Sequence, residues 1–227
     1  MKRDPLTEIL SYLQKKNVDI VFATYIGSYG TKDWIEGSSD YDIFLVVYGD
    51  KKPKVPVGDD IDLTIITLDE IELLRNSPII IEIAYSSPLI DKIGLKEWCK
   101  QNITIELIQR LLNNVEEKLM SMLRDPDSHI GACPIILYSC LREIMLILSY
   151  VCKRKVTIKE IEERLTREYG VFPGELQRVK MYYNSIIKGS PKRSKINFRA
   201  CIPVAEKLLD FLRSEVKQAL TSRINKT

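Results

Sequence analysis

Two aspartates at the head of an apolar run are the residues of this sequence best suited to chemistry. Asp40 and Asp42 are two positions apart, and an apolar stretch follows directly. Because side chains two apart in a strand share a face, this spacing predicts that the two carboxylates project together while Ile43, Leu45 and Val47 point the other way. Two like charges this close repel unless a cation lies between them, and Mg²⁺ accepts carboxylate oxygens while keeping positions for a substrate. The pattern therefore predicts a divalent metal site at the start of a strand.

A third carboxylate, Asp62, begins the next apolar stretch. The connector between the two stretches is short, and we expect a hairpin that brings Asp62 beside the first pair. The alternative is that Asp62 is an ordinary strand-edge residue. Upstream, Gly27 and Ser28 follow the first apolar strand, where a glycine turn lets backbone N–H groups and the serine hydroxyl hold phosphate oxygens. The aspartate pair, Asp62 and the turn of Gly27 and Ser28 together predict a site for a metal-bound polyphosphate.

These residues resemble the nucleotidyltransferase superfamily that includes DNA polymerase beta, over about residues 1–92. The resemblance implies a mixed sheet with helices packed on one side, two divalent ions (Mg²⁺, with Mn²⁺ as a substitute), and transfer of a nucleoside monophosphate from a triphosphate, expected to be ATP, with release of pyrophosphate. In that scheme Asp40 and Asp42 hold both metals, and Asp62 holds the catalytic one and helps to deprotonate the acceptor hydroxyl. Gly27 and Ser28 contact the triphosphate.

Hydrophobic periodicity predicts an α+β chain with two domains, a strand-rich domain at residues 1–95 and a helical bundle at residues 96–227. The resemblance implies that the first is a mixed-sheet catalytic domain. In the first domain we expect a helix at 4–17, a short helix at 68–76, and strands at 18–25, 41–48, 61–67 and 78–85. In the second domain the apolar spacing predicts a long helix at 103–122, a loop at 188–193, and further helices at 135–152, 157–169, 173–187 and 202–222.

The second domain carries a thinner resemblance. Residues 137–142, 156–159 and 179–183 are similar in order to the helical domain of the aminoglycoside adenylyltransferases. That similarity implies that Arg142, Lys159 and Tyr182 contact the nucleotide, with the active site in the cleft between the domains. Arg142 interrupts an apolar helix, so it needs a partner, which could be Glu143, another carboxylate or the triphosphate. Glu143 itself is interpreted as an ion-pair partner or as an acceptor base.

The charge distribution leaves the acceptor open. Residues 151–227 carry 18 Lys and Arg against 8 Asp and Glu, whereas residues 1–150 carry 16 against 23. A basic second half suits an anionic partner such as a nucleotide or RNA, and its alternative is a solvated helical surface. The sequence of residues 31–40 is closer to that of nucleotidyltransferases that extend RNA. The sequence shows no row of aromatic residues on a basic strand face, however, of the kind that stacks on single-stranded bases. We therefore expect either RNA or a small molecule such as an aminoglycoside-like compound as acceptor.

Other expectations concern partners and location. Small nucleotidyltransferase domains beside helical bundles also resemble antitoxin-type proteins, which act on a partner protein, and this regulatory alternative is kept. A homodimer is one arrangement that would close the cleft around a small acceptor. Residues 1–20 lack a signal-peptide pattern and the apolar stretch at 132–152 is interrupted by two charges, so we expect a cytoplasmic protein with no membrane contact. Five scattered cysteines predict buried thiols, with Cys133, Cys140 and Cys152 in a helical core.

Overall fold

The computed structural model describes residues 4–29, 40–129, 131–187 and 198–225. The chain has an α+β fold and divides into two compact units, residues 1–107 and 108–227. The division lies beyond the domain boundary at residue 95 that the change of periodicity predicts. Residues 30–39, with Trp34 and Ser39, and the loop predicted at 188–193 lie outside the described residues.

The first unit contains a four-stranded mixed sheet with the strand order β3-β2-β1-β4. Strand β1 pairs antiparallel with both β2 and β4, while β2 and β3 run parallel. The strands that the periodicity predicts near residues 20, 41 and 61 are present, and the fourth strand, of only two residues, is not among those predicted. The bounds are β1 Ile20–Tyr25, β2 Tyr41–Val47, β3 Ile61–Thr67 and β4 Ile90–Asp91.

One face of this sheet is covered by the first helix, α1 (Pro5–Lys15). The helix begins where Asp4 accepts a hydrogen bond from the Thr7 backbone N–H at 3.0 Å, and proline occupies its first turn. Its apolar stripe packs with the odd-numbered residues of β2 in one buried cluster, which includes Leu6, Ile9, Leu10, Leu13, Ile43, Leu45 and Val47. The predicted alternation along β2 is therefore confirmed, and the even-numbered side chains lie on the opposite face.

Residues 78–85 were predicted as a strand, and this prediction is wrong. After a 3-10 helix at Leu68–Asn76, the chain forms a short helix, α2 (Ile79–Ala84). Pro78 precedes it, and Ile80, Ile81 and Ile83 are fully buried. A short apolar run fits a buried helix as well as a buried strand, so its periodicity does not distinguish the two. The β-branched isoleucines favoured the strand prediction, but their preference depends on context and the tertiary packing of this segment favours a helix. The next helix of the unit, α3 (Leu95–Asn102), packs against α2.

The predicted hairpin between β2 and β3 is also wrong, because the two strands are parallel. Residues 48–60 act as a crossover connection, whose length matches the dozen or more residues that parallel pairing requires. The connector is attached along its path: Val55 packs against the cluster beneath α1, and Lys52 forms a 2.8 Å ion pair with Glu70. A hairpin would have placed Asp62 near the end of β2, whereas parallel pairing places it at the beginning.

The second unit is helical. Helix α4 (Ile105–Arg124) crosses the division between the units, and the remaining helices follow the predicted order. The predicted helix at 202–222 is present as two α-helical segments joined by a π-helical turn at Leu212–Val216. The other elements are α5 Cys133–Cys152, α6 Ile158–Tyr169, α7 Pro173–Ile187, a 3-10 helix Phe198–Cys201, α8 Ile202–Phe211 and α9 Lys217–Ile224.

The cysteines are free, and burial raises the pKa of the Cys140 thiol to about 12. Cys133 is buried as predicted, but Cys152 is exposed, because it is the last residue of α5 and the chain leaves the helix through Lys153 in a left-handed conformation. Among the described residues, α5 is the one helix long and apolar enough to span a membrane by length and composition; just over half of its apolar window is buried, and core helices of soluble proteins pass the same test.

Candidate metal and nucleotide site

Two of the three predicted metal-binding aspartates lie side by side. Asp42 and Asp62 are direct partners in the parallel register of β2 and β3. The register is held at its start by a 2.8 Å hydrogen bond from the Tyr41 N–H to the Asp60 carbonyl. Neighbouring strands are about 4.8 Å apart, so the two carboxylates leave adjacent backbones on the same face. The predicted meeting of Asp42 and Asp62 therefore occurs, through parallel rather than hairpin pairing.

The turn after β1 lies directly against Asp42. The Ile26 N–H donates to the Asp42 carbonyl at 2.9 Å, which continues the β1–β2 pairing up to the turn. Gly27 has a φ of +65°, a conformation that favours glycine. A Cβ at this position would overlap the carboxylate of Asp42 and would lie 3.0 Å from its Cγ. Glycine is thus required twice here, by the backbone conformation and by the close approach of a carboxylate.

A fourth carboxylate reaches this turn, and the sequence interpretation missed it. Glu82 on α2 accepts a hydrogen bond from the Gly27 N–H, with 2.6 Å between the nitrogen and Oε2. The resemblance assigns the Gly27 backbone to the triphosphate, but in this structure its N–H donates to Glu82. Because residues 78–85 were predicted as a strand, Glu82 was not recognised as a residue of the site. The available signals were Ser77 and Pro78, which are typical of a helix start, and a single charge within an isoleucine-rich segment.

Three tyrosines support the turn from the side of the sheet that α1 covers. The ring of Tyr29 lies 4.1 Å from that of Tyr25 and 5.0 Å from that of Tyr41, measured between centroids. Tyr25 donates to Asp4 at 2.6 Å and accepts from the Leu6 N–H at 3.0 Å. Burial and the Asp4 hydrogen bond raise the pKa of Tyr25 well above its usual value. The residue that follows Ser28 is therefore fixed to the start of α1 and to both strands.

The remaining first-unit candidates are Asp40 and Ser28, whose exposure is similar to that of Asp62 and Asp42 respectively. Asp40 precedes β2 and is exposed, and Ser28 is half-buried in the turn. Within residues 4–29, 40–129, 131–187 and 198–225, no three Asp, Glu, His or Cys side chains form a group that could hold a metal ion. The paired carboxylates of Asp42 and Asp62 repel each other in the absence of a cation. Two unit charges 4 Å apart have a Coulomb energy of about 1 kcal/mol in a water-like dielectric.

The chemistry of the donors fits a hard divalent cation. Asp42 and Asp62 offer carboxylate oxygens on one face of adjacent strands, and the glycine beside Asp42 leaves no side chain over it. Asp40 is exposed and does not join these two in a group of three among the described residues. Asp42 and Asp62 are the residues that would hold a Mg²⁺ ion.

The three nucleotide candidates of the second unit lie on three different helices. Arg142 on α5 and Lys159 on α6 are exposed, and Tyr182 on α7 is half-buried. The sequence interpretation treated Arg142 as a charge inside an apolar helix, but the helix presents a solvent-facing position there. Near it, the rings of Tyr138 and Tyr183 stack with centroids 4.2 Å apart, which joins α5 to α7.

Glu143 forms the ion pair that the sequence interpretation considered. Lys118 on α4 contacts the Glu143 carboxylate, and Ser139 lies between them, 3.0 Å from the Lys118 amine and 3.3 Å from the carboxylate. The second oxygen of Glu143 is buried with no hydrogen-bond partner among the described residues. This pair accounts for Glu143 within the second unit as an interhelical contact.

A shallow concavity of about 660 Å³ lies elsewhere in the second unit. Its carboxylates are largely paired: Glu168 with Arg167, and Glu215 with Arg164 and the Tyr169 hydroxyl. None of the predicted site residues is among those that line it, which are Glu168, Tyr169, Asp210, Arg213, Ser214 and Glu215.

The chain matches no protein-family model and no curated protein sequence. The nucleotidyltransferase resemblance therefore depends on the motif residues and on their geometry in this chain.

Proposed function

We propose that the protein is a Mg²⁺-dependent nucleotidyltransferase that moves a nucleoside monophosphate from a nucleoside triphosphate to a hydroxyl acceptor and releases pyrophosphate. The observation that carries this proposal is the parallel register of Asp42 and Asp62, with the Gly27 turn packed against Asp42. An edge of the sheet with paired carboxylates beside a glycine turn is suited to a metal-bound triphosphate.

Each residue has a distinct role in the proposal. Asp40, Asp42 and Asp62 hold the metal, and Asp62 accepts the proton of the acceptor hydroxyl. Ser28 contacts the triphosphate through its backbone and hydroxyl groups. Phosphoryl transfer of this kind needs positioning and charge compensation rather than a protein nucleophile, so a site composed of carboxylates and a turn is sufficient. Arg142, Lys159 and Tyr182 are proposed nucleotide contacts from the second unit.

The proposal is tested with each α-labelled nucleoside triphosphate and Mg²⁺, using wild-type protein and the variant Asp42→Asn. The acceptor pools are small RNA, an aminoglycoside panel, and a cell extract that contains proteins. We expect label to move to one pool with the wild type, and transfer by Asp42→Asn to fall at least 100-fold, because asparagine removes one metal-binding charge. Glu97→Ala, which removes an exposed carboxylate of α3 paired with Lys100, is the matched control and should retain full activity.

The outcomes separate the candidate functions. Full activity of Asp42→Asn would contradict the metal site. Metal-dependent triphosphate binding without transfer to any pool would favour the alternative of a regulatory nucleotide-binding protein that acts on a partner protein. Transfer to RNA with binding that weakens steeply as salt increases would identify phosphate contacts with the acceptor.

A further inference from the structure

We infer that Glu82 is a positioning residue that fixes the Gly27 turn against Asp42 and thereby orients the carboxylate of Asp42. This inference rests on the proposed function for its catalytic consequence. Its structural basis is the hydrogen bond from the Gly27 N–H to Glu82 and the contact between Gly27 and Asp42.

The hydrogen bond between Gly27 and Glu82 is a strong one. The 2.6 Å separation between the Gly27 nitrogen and Glu82 Oε2 is short for an N–H···O bond, and the acceptor is a carboxylate. Hydrogen bonds to charged groups are among the strongest in proteins. The bond joins residues 55 positions apart in sequence, so it fixes the turn to a distant helix rather than to its own neighbours.

The helix that carries Glu82 is held in place by buried side chains. Its neighbours Ile81 and Ile83 have no solvent exposure, and neither has Ala84. In a helix this short, three buried side chains leave little freedom for the backbone to move. Glu82 is the one charged residue of Ile79–Ala84, and it is directed at the turn. A carboxylate on an otherwise apolar helix requires a partner, and the Gly27 N–H is one.

The Gly27 turn connects Glu82 to Asp42. The Gly27 N–H donates to Glu82, and the position of a Gly27 Cβ is occupied by the Asp42 side chain. The preceding residue, Ile26, donates to the Asp42 carbonyl at 2.9 Å. Moving the Gly27 peptide therefore changes the space available to the Asp42 carboxylate. Glu82 acts on the metal-binding residue through the turn, without contacting the metal in this scheme.

The experiment uses the full chain with three variants: Glu82→Ala, Glu82→Gln and the control Glu97→Ala. The first readouts are the amide resonance of Gly27 and the side-chain carboxyl ¹³C resonance of Asp42, without nucleotide. We expect both resonances to move in Glu82→Ala, because the acceptor is lost, and to return most of the way in Glu82→Gln, because the glutamine oxygen can still accept. Glu97→Ala should leave both in place.

The second readout is affinity for Mg²⁺ and ATP. The affinity of Glu82→Ala should fall about tenfold or more, which is the loss expected when a hydrogen bond to a charged group is removed. Glu82→Gln should recover most of it. Resonances of Gly27 and Asp42 that stay at their wild-type positions in both Glu82 variants would overturn the inference, and so would wild-type affinity in Glu82→Ala.

The two proposals fail separately. A wild-type chain that neither binds Mg²⁺ and ATP nor transfers label contradicts the proposed function, while the resonances of Gly27 and Asp42 still decide whether Glu82 positions the turn. If Glu82→Ala does not fold, Glu82→Met decides, because methionine fills a similar space without an oxygen acceptor: a Gly27 amide resonance that shifts from its wild-type position in Glu82→Met, and less so in Glu82→Gln, supports the inference, and an unchanged resonance in Glu82→Met overturns it.

Discussion

Replacing Gly27 by alanine tests the packing of the turn against Asp42. Two costs are expected. A non-glycine residue at a φ of +65° costs about 1–2 kcal/mol. The added Cβ would also overlap the Asp42 carboxylate and lie 3.3 Å from the Asp42 Cβ, a contact that rotation of the side chain does not relieve. Forcing that side chain away from its rotamer adds about 1 kcal/mol, so the total loss of stability is about 2–3 kcal/mol.

Gly94→Ala is the matched control, because Gly94 lies in the same unit and has a φ of +68°, but a Cβ there meets no atom within 4 Å. It should lose only the backbone cost of about 1–2 kcal/mol. Urea unfolding followed by tryptophan fluorescence measures the difference, since both tryptophans of the chain, Trp34 and Trp98, belong to the first unit.

The same two variants should differ in ligand binding. Gly27→Ala should weaken Mg²⁺-dependent triphosphate binding, because it displaces the Asp42 carboxylate, whereas Gly94→Ala should retain wild-type affinity. Equal free energies of unfolding for the two variants, together with equal affinities, would refute the claim that the glycine is required by its contact with Asp42.

Two further predictions concern the supports of the two units. Tyr25→Phe removes the 2.6 Å hydrogen bond to Asp4 and should destabilise the first unit by about 1–3 kcal/mol in the same fluorescence assay. Burial raises the pKa of Asp4, but hydrogen bonds from Tyr25 and Thr7 outweigh it and hold that pKa below its usual value. The stability that the ionised Asp4 contributes is present above about pH 4 and is lost as the pH falls. The difference in free energy of unfolding between wild type and Tyr25→Phe should therefore shrink below that pH. A difference that stays constant with pH would contradict the role of Asp4. Thr157→Ala removes the side chain that caps α6 at Glu160 and should cost about 1 kcal/mol, measured from the helical circular dichroism on thermal unfolding; an unchanged midpoint would contradict it.

Local patterns in the sequence were sufficient for much of the fold. The alternation of β2 predicted that Asp42 lies opposite Ile43 and Leu45, and the helix at 173–187 begins and ends as its apolar spacing and proline predict. These features depend on residues within one or two turns of each other, where the physics of side-chain direction and capping is local. The aspartates and the glycine turn were recognisable for the same reason.

Tertiary structure decided what local patterns leave ambiguous. The isoleucine-rich segment became a helix because its surroundings bury it on several sides, and this placed Glu82 at the turn. The parallel pairing of β2 and β3 depends on a 13-residue connector whose path is held by Val55 and Lys52, contacts that no periodicity reveals. The sequence by itself therefore determined which carboxylates and which turn are present. Only the tertiary structure decided that Asp62 lies beside Asp42 and that Glu82 binds the Gly27 turn, because strand direction and helix packing are set by contacts between residues distant along the chain.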